Sequence, residues 1–327
     1  MAVEKLKQIT DEEWAEVNPV NREFLEEFIS NSVELSPQTL KAYTSNLRIW
    51  FVWVKDNLNN KPETEIKPLE YKRFQNWLMN RGCSSSDTVN KRAAISSLNN
   101  FIEIYMNDDY PLFRNFINKS IKRPTKEFVN EKEYLNHEEL EHLISVLEER
   151  EEWQKIAYIR FTFETGCRRA ESRQLLKDIV NAQPIVKERD GKTITYYLTP
   201  NIRCKGAGKT GKVRKLMFGE EAMEALKKWV EVRGDDDCPY MFVAKINGQY
   251  EQISMTSFNK WAQEVFTPIC GKRVTPHSFR RSRASQAVVE DGIDIESVRV
   301  LLGHESSDTT RIYVMKDESD EIDDLFV

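Results

Sequence analysis

Residues 275–285 read TPHSFRRSRAS, and residues 301–314 read LLGHESSDTTRIYV. In the first stretch Arg280 follows His277 by one helical turn, so a helix places both side chains on one face. The second stretch adds His304 and, nine residues later, Tyr313. A guanidinium, two imidazoles and a phenol form a set that suits covalent attack of a tyrosine on a phosphodiester, because arginine binds phosphate through two parallel hydrogen bonds.

Two further stretches lie upstream of this set. Residues 165–176, TGCRRAESRQLL, supply Arg168, and residues 204–215, CKGAGKTGKVRK, supply Lys205. In chain order the residues then read Arg, Lys, His-x-x-Arg, Gly-His and Tyr. This series resembles the active site of the tyrosine recombinase (phage integrase) family, and the resemblance covers about residues 35–316.

The resemblance implies a role for each residue of the set. Arg168 and Arg280 would clamp the scissile phosphate, and Glu171 would orient the site from behind them. Tyr313 would be the nucleophile, and His304 would bind the phosphate and help to hold the tyrosine. His277 would accept or relay the proton of the phenol, whose ordinary pKa is about 10.

A general acid must protonate the leaving 5′ oxygen, and a lysine among cationic neighbours suits this task. Lys205 occupies the family's position for this residue, and Lys209 is its rival. Gly206, Gly208 and Gly211 match a dinucleotide fingerprint in form only, because a strand-like segment follows them where a helix is needed.

No metal and no cofactor are expected. The five cysteines are widely spaced without a C-x-x-C pair, which argues against a disulfide framework and a cysteine-based zinc site. No apolar run approaches the roughly 20 residues that cross a bilayer. The N-terminus carries acids where a signal peptide needs an apolar core, so the sequence predicts a cytoplasmic protein without membrane contact.

The net charge of −5 hides an uneven distribution. Residues 1–35 hold nine acids and three bases, and residues 317–327 hold six acids and no base, which leaves +7 on residues 36–316. A positive body favours double-stranded DNA as the partner, although a solvated surface would look the same. The predicted DNA-binding residues are basic and lie in the linker or the glycine-rich turn: Lys119, Lys122, Arg123, Lys209, Lys212 and Arg214.

Apolar periodicity predicts a mainly α protein with two domains, a helical bundle followed by an α+β domain with a small antiparallel sheet. The family likeness implies that these are a core-binding domain and a catalytic domain. Strands are predicted at Thr193–Leu198 and Val213–Phe218, joined by the glycine-rich turn. The predicted boundaries are an acidic N-terminal segment at 1–34, the core-binding domain at 35–118, a linker at 119–135, the catalytic domain at 136–316 and an acidic tail at 317–327.

Two functions remain open on the sequence. The first is a site-specific recombinase or integrase of phage, prophage or mobile-element type that acts as a homo-oligomer on DNA. The second is a DNA-binding repressor or architectural protein that keeps the recombinase fold without the reaction. A full set of reactive side chains favours the first, and the acidic tail allows the second.

Overall fold

The computed structural model describes residues 8–117, 121–125, 134–189, 191–204 and 212–303. The described residues form two compact units, one up to residue 125 and the other from residue 134 onwards. Each unit has its own hydrophobic core. The domain boundaries expected from the sequence stay predictions, and much of the 119–135 segment lies outside the described residues.

Local signals set the helix starts in the N-terminal unit. Thr10 and Glu13 form a capping box, and proline occupies the first turn of three later helices, where its missing N–H costs nothing. The helices are α1 (Asp11–Ala15), α2 (Pro19–Asn31), α3 (Pro37–Asn57), a 3-10 turn (Glu63–Glu65), α4 (Pro68–Asn80) and α5 (Ser85–Tyr105).

The core of this unit is rich in aromatic side chains at helical spacing. Trp50, Phe51 and Phe74 are fully buried, and Trp50 meets Phe74 edge to face with 4.8 Å between the ring centroids. Trp14 of α1 packs on Phe51, so α1 shares the core of α3. These aromatic side chains are therefore core residues and not stacking platforms for bases.

The second unit is mixed, and its helices again begin at capping residues such as Asn136 and Ser254. Its helices are α6 (His137–Glu149), α7 (Trp153–Thr165), α8 (Arg169–Ser172), a 3-10 turn (Lys177–Asn181), α9 (Glu220–Arg233), α10 (Met255–Lys260), α11 (Thr267–Cys270), α12 (Pro276–Ser285) and α13 (Ile295–Leu302). A π-helical turn, Trp261–Phe266, joins α10 to α11, and another, Gln286–Glu290, extends α12.

Seven short strands accompany these helices in the described part of the chain, all paired antiparallel. They are β1 (Ile185–Arg189), β2 (Lys192–Leu198), β3 (Ile202–Cys204), β4 (Lys212–Arg214), β5 (Met217–Phe218), β6 (Val243–Ile246) and β7 (Gln249–Gln252). The order of the three-stranded sheet is β1-β2-β5, while β3 pairs with β4 and β6 with β7. Tyr197 and Phe218 stack on the inner side of the sheet, which buries β2 and β5 against the core.

The predicted strand pairing needs one correction. The ends of the two predicted runs do pair, as Tyr197↔Phe218 and Leu198↔Met217. However, β2 pairs along its length with β1, and the glycine-rich turn connects β3 to β4. Pro200 ends the strand pattern because it cannot donate a ladder hydrogen bond, and β3 is too short for a recognisable alternation. The mainly α fold class with small antiparallel sheets is confirmed.

Among the described residues, no helix combines the length and the apolar character that spanning a membrane requires.

Candidate active site

The turn after α7 brings the first arginine of the set into place. Gly166 ends α7 in the left-handed conformation, with φ of +56°. A Cβ at this position would lie 2.3 Å from Leu302 Cδ2, so both the backbone conformation and the packing require glycine. The close approach of α7 and α13 at Gly166 therefore depends on the absence of a side chain.

Arg168 begins α8 and is held there by Glu171. The Arg168 backbone N–H donates to Glu171 Oε2 at 3.1 Å, and Arg168 Nη1 donates to Glu171 Oε1 at 3.1 Å. The carboxylate is 1% exposed, whereas the arginine side chain is 28% exposed. Glu171 thus orients a guanidinium that keeps one side open to solvent.

Helix α12 carries the next two residues of the set. Thr275 precedes it, and the Thr275 N–H donates to Ser278 Oγ at 3.0 Å, which fixes the first turn. His277 on this turn is half-buried, whereas Arg280 is fully buried. The one-turn separation holds as the sequence predicts, but only the histidine reaches the surface.

Two main-chain carbonyls hold the guanidinium of Arg280. Its Nη1 donates to the Gly166 oxygen, and its Nη2 donates to the Leu302 oxygen at 2.8 Å. Both carbonyls lie at helix C-termini, where partial negative charge accumulates and favours a cation. Arg280 therefore joins the end of α7, two residues before Arg168, to the end of α13, two residues before His304.

An open cleft of about 390 Å³ lies beside this arrangement. Arg168 and His277 line it from opposite sequence stretches, together with Arg169, Ala170, Met255, Asn259, Thr275 and Pro276. The cleft therefore brings the partly exposed Arg168 and His277 to a common surface. A phosphodiester could reach both side chains there, because each keeps an exposed portion.

Arg214 on β4 is the second partner of Glu171. Its Nη2 donates to Glu171 Oε2 at 3.3 Å, and its Nη1 donates to the Leu301 oxygen at 2.7 Å. The sequence predicts Arg214 as a DNA contact, but the guanidinium is directed at protein groups and the side chain is only 22% exposed. Each oxygen of the buried carboxylate thus has an arginine donor, which offsets part of the cost of burying its charge.

Two buried cysteines adjoin these arginines without offering a reactive thiol. Burial raises the pKa of Cys167 to about 12, so its thiol stays protonated at neutral pH. Burial also raises the pKa of Cys204, which accepts a hydrogen bond from Arg214 Nε at 3.4 Å. Among the described residues, no group of three His, Cys, Asp or Glu side chains could hold a metal ion.

Comparison with known proteins identifies the family of this chain. Residues 133–320 match the phage integrase family. The prophage-derived recombinase-like protein YomM of Bacillus subtilis is 31% identical over 99% of this chain and 96% of its own length. The chain belongs to the phage integrase family of tyrosine recombinases.

Other similar proteins extend the comparison. A tyrosine recombinase of Thermosipho africanus is 25% identical over 92% of this chain and 96% of its own length. The Tn1549 transposon integrase, solved with transposon right end DNA, has a TM-score of 0.67 at 17% identity and covers 94% of this chain and 99% of its own. The XerH site-specific recombinase, solved with palindromic difH substrate, has a TM-score of 0.64 at 19% identity and covers 95% and 94%. These two structures show a shared fold.

Five of the catalytic and DNA-binding residues expected from the sequence lie outside the described residues: Lys119, Lys205, Lys209, His304 and Tyr313. Within the described part, Lys122, Arg123 and Lys212 are exposed, as residues that contact phosphate must be. Gln75 Nε2 donates to the Lys122 oxygen at 3.2 Å and so ties the backbone of the 121–125 segment to α4.

Sequence reasoning missed the two carbonyls that hold Arg280, and it missed Asn259 and Met255 in the cleft. Glycine at position 166 was a usable signal, because a helix-ending glycine exposes its own carbonyl to a donor. The cleft residues on α10 had no such signal, because only the packing of α10 beside α8 and α12 brings them there.

Proposed function

We propose that this protein is a site-specific DNA recombinase that cleaves and rejoins DNA through a 3′-phosphotyrosyl intermediate. One observation carries the proposal: Arg280 bridges Gly166 and Leu302, so the segments that lead to Arg168 and to His304 begin at one point. His277 faces the same cleft as Arg168. Arg168, His277 and Arg280 come from separate stretches of the chain and lie near one another, which supports the proposal.

The two arginines supply charge stabilisation of different kinds. The pentavalent transition state concentrates negative charge on the nonbridging oxygens, so preorganised cationic donors lower its energy. Arg168 offers a partly exposed guanidinium whose orientation Glu171 fixes. Arg280 offers a desolvated one whose attraction is weakly screened by water, and its anchoring to carbonyls keeps its fork in a fixed position.

The reaction exchanges one phosphodiester bond for another. The Tyr313 oxygen forms a bond to phosphorus as the bond from phosphorus to the 5′ oxygen breaks. The phenolic proton passes to His277, and Lys205 or Lys209 gives a proton to the leaving 5′ oxygen. The free 5′ hydroxyl of a partner strand then attacks the phosphotyrosyl bond and reverses these steps. Because the phosphotyrosyl bond conserves the free energy of the broken phosphodiester, the reaction needs neither a metal ion nor a nucleoside triphosphate.

Joining two duplexes requires four strand cleavages, whereas one chain carries one such tyrosine. We therefore infer that several copies assemble on double-stranded DNA, each contributing one active site. A reaction on DNA fits the cytoplasmic location expected from the sequence. The similarity to a prophage-derived relative supports a phage or mobile-element origin.

Replacing Tyr313 by phenylalanine tests the chemistry directly. We expect Tyr313→Phe to abolish covalent attachment to DNA and to leave noncovalent binding nearly unchanged, because a single hydroxyl is removed. The measurement uses attachment-site DNA with a nick that traps the intermediate, followed by a denaturing gel. Tyr240 in the second unit gives a matched control, since Tyr240→Phe should retain the adduct.

An adduct that survives denaturant in the Phe variant would show that another residue is the nucleophile. If the parent protein binds its target tightly and forms no adduct on any trap substrate, a repressor or architectural protein is the better description.

Binding should depend steeply on salt despite the sequence pI of about 5.7. Residues 36–316, which carry a net charge of +7, bind the phosphates and release counterions from the DNA, so the charge of the whole chain is not decisive. We expect affinity for duplex DNA to fall by orders of magnitude between about 50 and 200 mM salt. An affinity that stays level over this range would contradict the charge distribution as the source of binding.

A further inference from the structure

Arg214 occupies a junction between three parts of the site. Its guanidinium donates to the Leu301 oxygen at 2.7 Å, to Glu171 Oε2 at 3.3 Å and to Cys204 Sγ at 3.4 Å. Leu301 lies in the last turn of α13, Glu171 belongs to α8, and Cys204 ends β3. A single side chain therefore connects the C-terminus of α13, the carboxylate behind Arg168 and the strand that precedes Lys205.

The packing around Gly303 leaves no freedom for this guanidinium. A Cβ at Gly303 would lie 2.8 Å from Arg214 Nη1 and 3.0 Å from its Cζ. Gly303 also has φ of +65°, where side-chain-bearing residues are strained. The Arg214 guanidinium thus lies directly against Gly303, the residue before His304. An arginine on β4 that extended into solvent would not require a glycine at that position.

We propose that Arg214 is a positioning residue for the cleavage reaction, and that it acts by fixing Arg168 and the His304 segment instead of binding DNA. The inference rests on the proposed function. The sequence alone suggests that Arg214 contacts DNA, because it is basic and follows a glycine-rich turn. The positioning role takes the place of that expectation.

Charge sharing at Glu171 explains the effect on Arg168. With Arg214 present, each carboxylate oxygen has its own arginine, so Arg168 neutralises only part of the negative charge. Without Arg214, the buried carboxylate would hold Arg168 more strongly and would repel an approaching phosphate. The Arg168 guanidinium would then point towards Glu171, and its attraction for the phosphate would be partly neutralised.

The hydrogen bond to Leu301 explains the effect on the His304 segment. Arg214 and Arg280 bind successive carbonyls, those of Leu301 and Leu302, at the end of α13. Loss of Arg214 leaves the first carbonyl without this donor, so the end of α13 loses one of the two arginines that bind its carbonyls. A shift of about 1 Å in a reacting group can cost on the order of a hundredfold in rate.

The experiment compares Arg214→Ala and Arg214→Lys with Lys215→Ala, which removes an equal charge at the adjacent exposed position. Single-turnover adduct formation is measured at saturating nicked DNA, and binding affinity is measured against salt. We expect Arg214→Ala to lower the rate on the order of a hundredfold. Lys215→Ala should keep the parental rate, and the salt slope of Arg214→Ala should equal that of the parent.

Rescue separates positioning from general support of the fold. Lysine can reach one partner of Arg214 but lacks the fork that serves Glu171 and Leu301 together, so Arg214→Lys should recover only part of the rate. Added guanidinium ion should raise the rate of Arg214→Ala and leave the parent unchanged. Gly303→Ala, which displaces the Arg214 guanidinium, should also lower the rate while binding persists.

Several results would overturn the inference. A salt slope smaller by about one for Arg214→Ala would mean a phosphate contact. A parental rate in Arg214→Ala would mean no role in the reaction. Joint loss of cooperative unfolding and DNA binding in both Arg214→Ala and Gly303→Ala would mean a purely structural role. If the parent forms no adduct, the proposed function fails first and the inference falls with it.

Discussion

Replacing Arg280 by alanine should lower the rate of DNA cleavage by about a hundredfold to a thousandfold, as expected when a preorganised positive charge beside the transition state is lost. The guanidinium is buried and fixed by the carbonyls of Gly166 and Leu302, so no neighbouring water can replace its charge. The measurement is single-turnover adduct formation at saturating DNA. Saturation removes any effect of weaker binding from the rate.

Arg168→Ala gives the matched comparison, because both arginines are proposed to stabilise negative charge on the same phosphate but differ in burial. Its cleavage rate should fall by a similar factor. The fold should respond differently: Arg280→Ala leaves two buried carbonyls without their donor and should lower the melting temperature. Arg168 is partly exposed, and Glu171 keeps its hydrogen bond from Arg214 when Arg168 is replaced, so Arg168→Ala should lower the melting temperature less than Arg280→Ala does. Cleavage within a few-fold of the parent in both variants would refute the phosphate clamp.

The helices could be predicted closely because their signals are local. Trp153–Thr165, Glu220–Arg233 and Ile295–Leu302 have the bounds that periodicity and capping indicate. A glycine follows the last residue of each of these helices, and such a signal does not depend on the rest of the fold. The helical part of the architecture was therefore readable without tertiary information.

The strands were harder to predict from the sequence, because strand pairing joins residues that are distant along the chain. β6 and β7 were missed although Asn247-Gly248 between them is a typical hairpin turn, with φ of +50° and +85°. β1 was missed because it is an exposed edge strand without a clear apolar alternation. The first pair was thus recoverable from its turn signal, whereas β1 was not.

The site was predictable as a list of residues but not as an arrangement. Spacing placed His277 and Arg280 on one helix face, and it could not show that only His277 is accessible. Basic composition suggested that Arg214 contacts DNA, whereas its bonds to Leu301 and Glu171 emerge only in the fold. Tertiary packing decides whether a basic side chain meets solvent or protein, and composition carries no information about it.

A pH-dependent stability is expected from the N-terminal unit, because Glu63 lies fully buried in its core. Its Oε2 accepts a hydrogen bond from Trp50 Nε1 at 2.8 Å, and no cation compensates a negative charge there among the contacts of the described residues. Burial raises the pKa of this carboxyl to about 8. The folded protein therefore keeps a proton at neutral pH that the unfolded chain releases.

The sign of the pH effect follows from this difference. Between the ordinary glutamate pKa of 4.5 in the unfolded chain and the folded value of about 8, the native state binds more protons than the unfolded state. The contribution of Glu63 to the free energy of unfolding should therefore be highest below pH 4.5, fall as pH rises through this window, and level off above pH 8. The total loss is on the order of a few kcal/mol.

Glu63→Gln should remove this part of the pH dependence. The amide keeps an acceptor for Trp50 and never ionises, so the variant should be more stable than the parent above pH 8 and less sensitive between pH 4.5 and 8. Glu65→Gln is the control, because Glu65 lies exposed on the same turn and its replacement should leave the parental profile. The measurement is denaturant unfolding across this pH range, followed by the signal of the buried tryptophans. Parallel profiles for the parent and Glu63→Gln would mean that the buried carboxyl does not retain its proton, and that Glu63 is ionised in the folded state.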